Sequence, residues 1–246
     1  MKFIGDIFYS ILYLIVRPFF KSKKIGKKNI KKDDEARVFV ANHYEFYGPV
    51  IMYFRFNKKK RIWIIHNLLE KDKIVEYMMP AVNDILKKTP NFIKKILVKI
   101  TKNLLYYIMN RRAKGIPVYQ EGDRRIIETM NESVDALNEK YSIVLFGEKE
   151  FQTGNKVGNL RTGFASLGKY YFKKTGKKIS FYPVFISKTN KTMRIGKSIK
   201  YNPEDENIKE NIVTYLHDVM EGYAKIDAKI EEERINKKTK KKEPKN

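Results

Sequence analysis

The chain of 246 residues has no cysteine and only three histidines, His43, His66 and His217. Disulfide staples, cysteine-ligated zinc and thiol catalysis are therefore excluded, and the histidines stand at no metal-like spacing. The composition points to a metal-independent protein in a reducing compartment. No Gly/Ser-rich or Pro-rich linker divides the chain, and no internal repeat is visible, so one α/β core with short ends is expected. Acidic residues are in short supply: 28 Asp and Glu face 52 Lys and Arg, a formal charge of +24. Such an excess attracts a polyanion or an anionic bilayer and is silent about fold. Aromatic residues at 13% argue against simple disorder.

A long hydrophobic run is also missing. Residues Ile7 to Val16 are apolar or aromatic apart from Ser10, with Gly5-Asp6 before them and Arg17-Pro18 after. As a helix this run spans roughly 15 Å, about half a bilayer core. No small-residue cleavage site follows it, and Asp6 stands where a secretory signal would be basic. After Phe19-Phe20 come Lys21, Lys23, Lys24, Lys27, Lys28, Lys31 and Lys32, each worth about 1 kcal/mol beside anionic lipid. The run and the lysines together predict an interfacial anchor over residues 1–35 on the cytoplasmic face of an anionic membrane. A helix packed on its own domain is the alternative. From Phe92 to Met109, Ile93, Ile96, Leu97, Ile100, Leu104 and Ile108 share one helical face, and Lys94, Lys95, Lys99 and Lys102 another. That pattern reads first as a core helix with solvated lysines, and it fits a lipid surface as well.

Beyond the anchor, apolar runs alternate with helical patterns. Strands are predicted at Val38–Ala41, Arg61–Ile65, Ile116–Tyr119, Ser142–Phe146, Ile179–Ile186 and Met193–Ile199. Helices are predicted near Pro49–Phe56, Leu68–Tyr77, Phe92–Met109, Arg124–Glu139, Thr162–Lys173 and Glu206–Arg234. The alternation implies an α/β domain over residues 36–235, with a mixed, mostly parallel sheet covered by helices. The lysine-rich residues 236–246 read as a disordered tail. In such sheets ligands bind beyond the carboxyl ends of the strands, where His43 and Gly147-Glu148 both fall. Asn42-His43 closes the run Arg37-Val38-Phe39-Val40-Ala41 and opens onto aromatics and a Gly48-Pro49 break. That places an imidazole where a buried strand meets a loop.

Four segments in order, over about residues 36 to 200, resemble the glycerolipid acyltransferase family typified by 1-acylglycerol-3-phosphate acyltransferases. Ala41-Asn42-His43 with Gly48-Pro49-Val50 is similar to that family's N-H-x-S-x-x-D-G-P block. Gly115-Ile116-Pro117-Val118-Tyr119-Gln120 resembles G-x-I-P-V-x-R. Val144-Leu145-Phe146-Gly147-Glu148 and Leu160-Arg161-Thr162-Gly163-Phe164-Ala165 resemble F-P-E-G-T-R and the later F-K-x-G-x-x-x-L. Ser180-Phe181-Tyr182-Pro183-Val184 resembles the V-x-P-V strand. The resemblance implies a membrane-associated enzyme that moves an acyl chain from acyl-CoA or acyl-carrier protein to a lysophospholipid hydroxyl, with no bound cofactor.

Departures accompany the matches. Four residues, not five, separate Asn42-His43 from Gly48-Pro49, and the motif Asp is absent. Gln120 occupies the position of a phosphate-binding Arg, Gly147 replaces Pro, and Phe151 replaces Arg. Acyl transfer to a hydroxyl needs a base as the oxygen attacks the thioester, and an imidazole suits that task. A carboxylate on the second ring nitrogen fixes the tautomer. Glu45 is the candidate carboxylate, provided that the segment from His43 to Glu45 is not helical. Amides of the Tyr47-Gly48 or Phe146-Gly147-Glu148 turn are candidates for the oxyanion donors. Substrate contacts are expected from Asn42, Gly48, Gln120, Arg124, Gly147, Glu148 and Arg161, with Glu148 positioning the acceptor and Arg124, Arg125 or Arg161 supplying a shifted guanidinium. Two other readings compete with the enzyme. One is a lipid-binding relative that has lost efficient catalysis. The other, a nucleic-acid protein, has only the basic charge in its favour, lacks a zinc-finger or RNA-recognition signature and leaves the anchor unexplained, so nucleic acid is not expected as a partner.

Overall fold

The computed structural model describes residues 10, 11, 13–15, 17–32, 36–44, 47–56, 59–119, 122–150 and 156–240. Among the described residues eight strands form one sheet: β1 (Lys23–Ile25), β2 (Ala36–Ala41), β3 (Lys60–Ile65), β4 (Ile116–Val118), β5 (Ser142–Phe146), β6 (Ile179–Ser187), β7 (Thr192–Ile195) and β8 (Ile199–Lys200). Their order is β1-β7-β6-β2-β5-β3-β4, with β8 also paired to β6. Pairing is parallel except where β7 and β8 meet β6. The helices are α1 (Tyr47–Arg55), α2 (Lys73–Ile85), α3 (Asn91–Tyr107), α4 (Ile126–Asn138), α5 (Ser166–Thr175) and α6 (Ile208–Lys240).

The centre of the sheet is dictated by strands that are apolar on both faces, the pattern of parallel strands covered by helices. Along β2, Val38 and Val40 enter a core shared with α4, α5 and α6. Phe39 and Ala41 point the other way, into a core shared with α1. This alternation fixes the face on which each neighbour lies.

Several elements differ from the sequence expectation. Lys23–Ile25, placed with the anchor, pairs with β7 as the sheet's edge strand. The strand expected over Met193–Ile199 is split in two, with Gly196, Lys197 and Ser198 between the halves. The helix expected at Leu68–Tyr77 begins later and runs past Pro80 to Ile85. The last helix continues to Lys240, into the stretch expected as disordered tail, and residues 241–246 lie outside the described residues. Helix α3 forms where expected but is rolled about its axis: Lys94 is buried, while Ile96 and Leu97 are exposed. A buried Arg194–Asp227 ion pair (2.7 Å), joined by Thr192 Oγ1 donating to the carboxylate (3.1 Å), ties α6 to β7.

The N-terminal segment is docked on α1. Residues 10, 11 and 13–15 are helical, Tyr13 and Phe20 pack on Phe54 with ring centroids 5.1 and 5.5 Å away, and Arg55 donates to Phe20 O and Arg17 O. Ile11, Leu14, Ile15 and Phe19 are left exposed. Among the described residues no helix is long and apolar enough to cross a membrane.

Lys60 closes the lower end of α1 by donating to Phe56 O (2.8 Å) and Tyr53 O (3.2 Å). Burial and then the nearby Lys24 charge push its ammonium down to about 8. Between that value and the ordinary lysine value the unfolded chain holds more protons than the folded one, so stability rises with pH through this window. From pH 8 to 9.5 the Lys60 contribution grows by about 1 to 2 kcal/mol. Urea unfolding over this range is expected to show the gain in the native protein and a flatter profile in Lys60→Met.

Candidate functional site

Strand β2 ends in a polar lock. Asn42 is buried; its N–H donates to Val184 O (3.3 Å), its Nδ2 to Ile186 O (3.1 Å), and its Oδ1 accepts from Ile186 N–H (2.7 Å). The side chain thus extends the pairing with β6 by one residue. Expected as a substrate contact, Asn42 has its amide committed to the sheet, where it fixes the position of the next residue.

That residue is His43. Its N–H donates to Glu148 Oε2 at 2.5 Å, and its carbonyl accepts from Gly48 N–H at 3.0 Å. Both main-chain groups are therefore held, one from the loop after β5 and one from the first turn of α1. A Cβ on residue 48 would stand 2.2 Å from His43 O, so Gly48 serves the close approach of helix to strand end. The imidazole lies against Phe146, ring centroids 5.1 Å apart. Tyr44 follows with φ 41°, in the left-handed region. The chain leaves His43 through a non-helical turn, as the pairing with Glu45 requires at its first step; Glu45 itself lies outside the described residues.

Glu148 supplies the other half of the clamp. Its Oε1 accepts from Gly158 N–H at 2.8 Å, so the two carboxylate oxygens bridge two main-chain amides 115 residues apart in sequence, at His43 and Gly158. Burial raises its pKa above the ordinary value, against the two amide hydrogen bonds and the His217 charge, which favour the ionised form. The loop between is closed at its neck by Lys149 N–H to Asn159 O and Arg161 N–H to Gly147 O, both 2.8 Å. Arg161 also donates from its guanidinium to Lys149 O (3.3 Å).

These bonds sort the remaining expectations. Tyr47 N–H donates to Tyr44 O (3.1 Å) and Gly48 N–H to His43 O, so the Tyr47-Gly48 turn has no amide to offer an oxyanion. Gly147 sits between Glu148 and β5, in the turn that remains a candidate. Arg161, at the loop neck, is brought beside the clamp. Arg124 is exposed in the turn before α4, which follows β4, three strands from β2 and so about 14 Å away across the sheet. Arg125 is engaged by Asp123 (2.7 Å) and lies over the Tyr119 ring. Gln120 lies outside the described residues.

The sequence reading did not single out Gly158 or His217 as neighbours of this site, and it named Phe146 for its main chain, not for the ring that lies against His43. It also passed over His66, which follows β3 directly and stacks on Tyr119 at 5.0 Å, with its Nδ1 buried and without a hydrogen-bond partner. A histidine closing the run Ile62-Trp63-Ile64-Ile65 was the visible signal. At the opposite edge of the sheet, a cleft of about 360 Å³ is lined by Tyr13, Tyr53, Lys60, Arg111, Arg112 and Lys114. It contains none of the expected catalytic side chains.

The mixed α/β sheet, with His43 at the carboxyl end of its central strand, is similar in fold to a solved acyltransferase. The solved structure that carries this comparison is the crystal structure of the 1-acyl-sn-glycerophosphate (LPA) acyltransferase PlsC from Thermotoga maritima, which is 15% identical, with a TM-score of 0.51, covering 86% of this chain and 76% of that one. The sequence matches no family profile and no curated protein.

Proposed function

We propose that the protein is a membrane-associated acyltransferase that moves an acyl chain from acyl-CoA or acyl-carrier protein to the hydroxyl of a lysophospholipid of the lysophosphatidic acid kind. The observation that carries this reading is His43 held at both main-chain groups, by Glu148 and Gly48, at the edge of the sheet where α/β folds bind ligands. The fold shared with an LPA acyltransferase supplies the reaction class.

In this reading the His43 imidazole takes the proton of the acceptor hydroxyl as its oxygen attacks the thioester carbonyl. The tetrahedral oxyanion then collapses, the C–S bond breaks, and the thiolate leaves with the proton from the imidazolium. Glu45, next to a chain reversal at Tyr44, orients the ring. Arg161 is the guanidinium best placed to meet an acceptor phosphate, since it sits at the neck of the loop that Glu148 anchors. The exposed Ile11, Leu14, Ile15 and Phe19 with the lysines that follow them hold the enzyme on the cytoplasmic face of an anionic bilayer.

The absent motif Asp favours a second reading, a lipid-binding relative without turnover. Thioester consumption by purified protein, with lysophosphatidic acid in vesicles, separates the two. Release of thiol matched by acylated product is the expected result, and Glu45→Gln should slow it if Glu45 orients the ring. Vesicle binding without turnover across several lysolipid acceptors would leave only the lipid-binding relative.

A further inference from the structure

Helix α3 is turned the wrong way round for a helix in water. Lys94 and Val98, one turn apart, are 5% and 3% exposed, whereas Phe92, Ile96 and Leu97 are 65%, 51% and 43% exposed. Helices on globular proteins put their apolar stripe inward and almost never bury a lysine in its place. Here the helix packs on α2, and three large apolar side chains project from one end of it. Lys87 and Lys88 in the turn before, and Lys95 and Lys99 on the helix, are exposed around them. The sequence of α3 contains no Asp or Glu.

We propose that the Phe92, Ile96 and Leu97 face of α3 docks into the headgroup region of an anionic bilayer, with the surrounding lysines on lipid phosphates. This rests on the reading of the protein as one that works on lipid, and adds a second contact far in sequence from the N-terminal segment. Two features choose the occupant. An apolar face rimmed by cations, on a helix lying in the interface plane, is the pattern of interfacial helices. A second copy of the chain would bring another +24 charge to a face without a single carboxylate on its helix. The consequence is positional. The α2–α3 hairpin leaves the sheet at the end of β3, two strands from β2 and so about 10 Å across the sheet from the His43 strand. Docking through α3 therefore brings the ligand edge of the sheet to the lipid in which a lysolipid acceptor resides.

Because the chain has no cysteine, Ile96→Cys creates a single thiol for an environment-sensitive fluorophore, with Lys173→Cys on α5 as the control. With phosphatidylcholine/phosphatidylglycerol vesicles, a blue shift and brighter emission are expected at position 96 and not at 173. Phe92→Ser/Ile96→Ser/Leu97→Ser should weaken vesicle binding by about tenfold while leaving turnover of a short-chain, monomeric lysolipid unchanged, which also reports that the variant is folded. If native protein sediments with the vesicles but emission at 96 does not move, the α3 surface is refuted and the lipid reading stands. If native protein does not bind vesicles, both fail. A blue shift that follows protein concentration without lipid would show a second copy on this face and overturn the proposal.

Discussion

His43→Ala is expected to lower acyl transfer by about 10³-fold or more at saturating thioester and acceptor, with KM for both substrates changed little. A positioned general base contributes about 10²- to 10⁴-fold, and the carbonyl, the acceptor and the oxyanion donors remain in place when the imidazole is removed. The main chain at this position is tied through its N–H and C=O to Glu148 and Gly48, and alanine keeps both bonds. The folded structure should therefore survive, which makes the loss interpretable. Release of thiol from the acyl donor is the readout, with circular dichroism and vesicle sedimentation as controls. Unchanged turnover would remove His43 from the chemistry and leave the strand-end geometry as a structural lock.

The sheet was legible because its strands are apolar on both faces. Runs such as Val38–Ala41 and Ile179–Ile186 have no competing helical period, and a parallel sheet needs helices between them. The edges were less legible. Lys23–Ile25 is a basic tripeptide whose strand state comes from pairing with β7, a tertiary contact that no local pattern announces. For α3 the period was read correctly but the inward face was not: Lys94 is buried while Ile96 and Leu97 are exposed, because which stripe turns inward is set by packing on α2 and not by the period.

At the candidate site, the sequence marked the end of a buried strand and could not say what each atom meets there. His43 was found from the end of an apolar strand, the place where sheet geometry gathers ligands. Asn42 and Glu148 were expected to touch substrate; in the fold the Asn42 amide meets Ile186, and the Glu148 carboxylate accepts from His43 and Gly158. A carboxylate in a motif looks the same whether it meets a ligand or an amide 105 residues away. Gly158 gave no signal, because an N–H is common to nearly every residue.

The second large effect is expected at Glu148, and it tests whether this residue acts through His43. Removing the carboxylate in Glu148→Ala leaves the His43 and Gly158 N–H groups without their acceptor, at about 1 to 3 kcal/mol for each one that stays buried. Part of that loss is offset, because burial raises the Glu148 pKa. The sign follows from linkage: a carboxyl with a raised folded pKa contributes stability below the unfolded value and loses it as pH rises through the folded one. The ionised clamp is thus held at a cost, and the alanine variant no longer bears it. A net loss of about 2 kcal/mol at neutral pH is expected in urea unfolding. The effect on rate should be larger, about 10²-fold in kcat, since a shift of 1 Å in the imidazole is enough for that. Glu148→Gln should fall between the two, because its amide can accept from one N–H but turns a donor toward the other. The double variant His43→Ala/Glu148→Ala decides the point. If Glu148 works by positioning His43, removing it from a protein already lacking the imidazole costs little further rate, while the stability loss remains. A full additional 10²-fold loss in the double variant would instead put Glu148 in direct contact with the substrate.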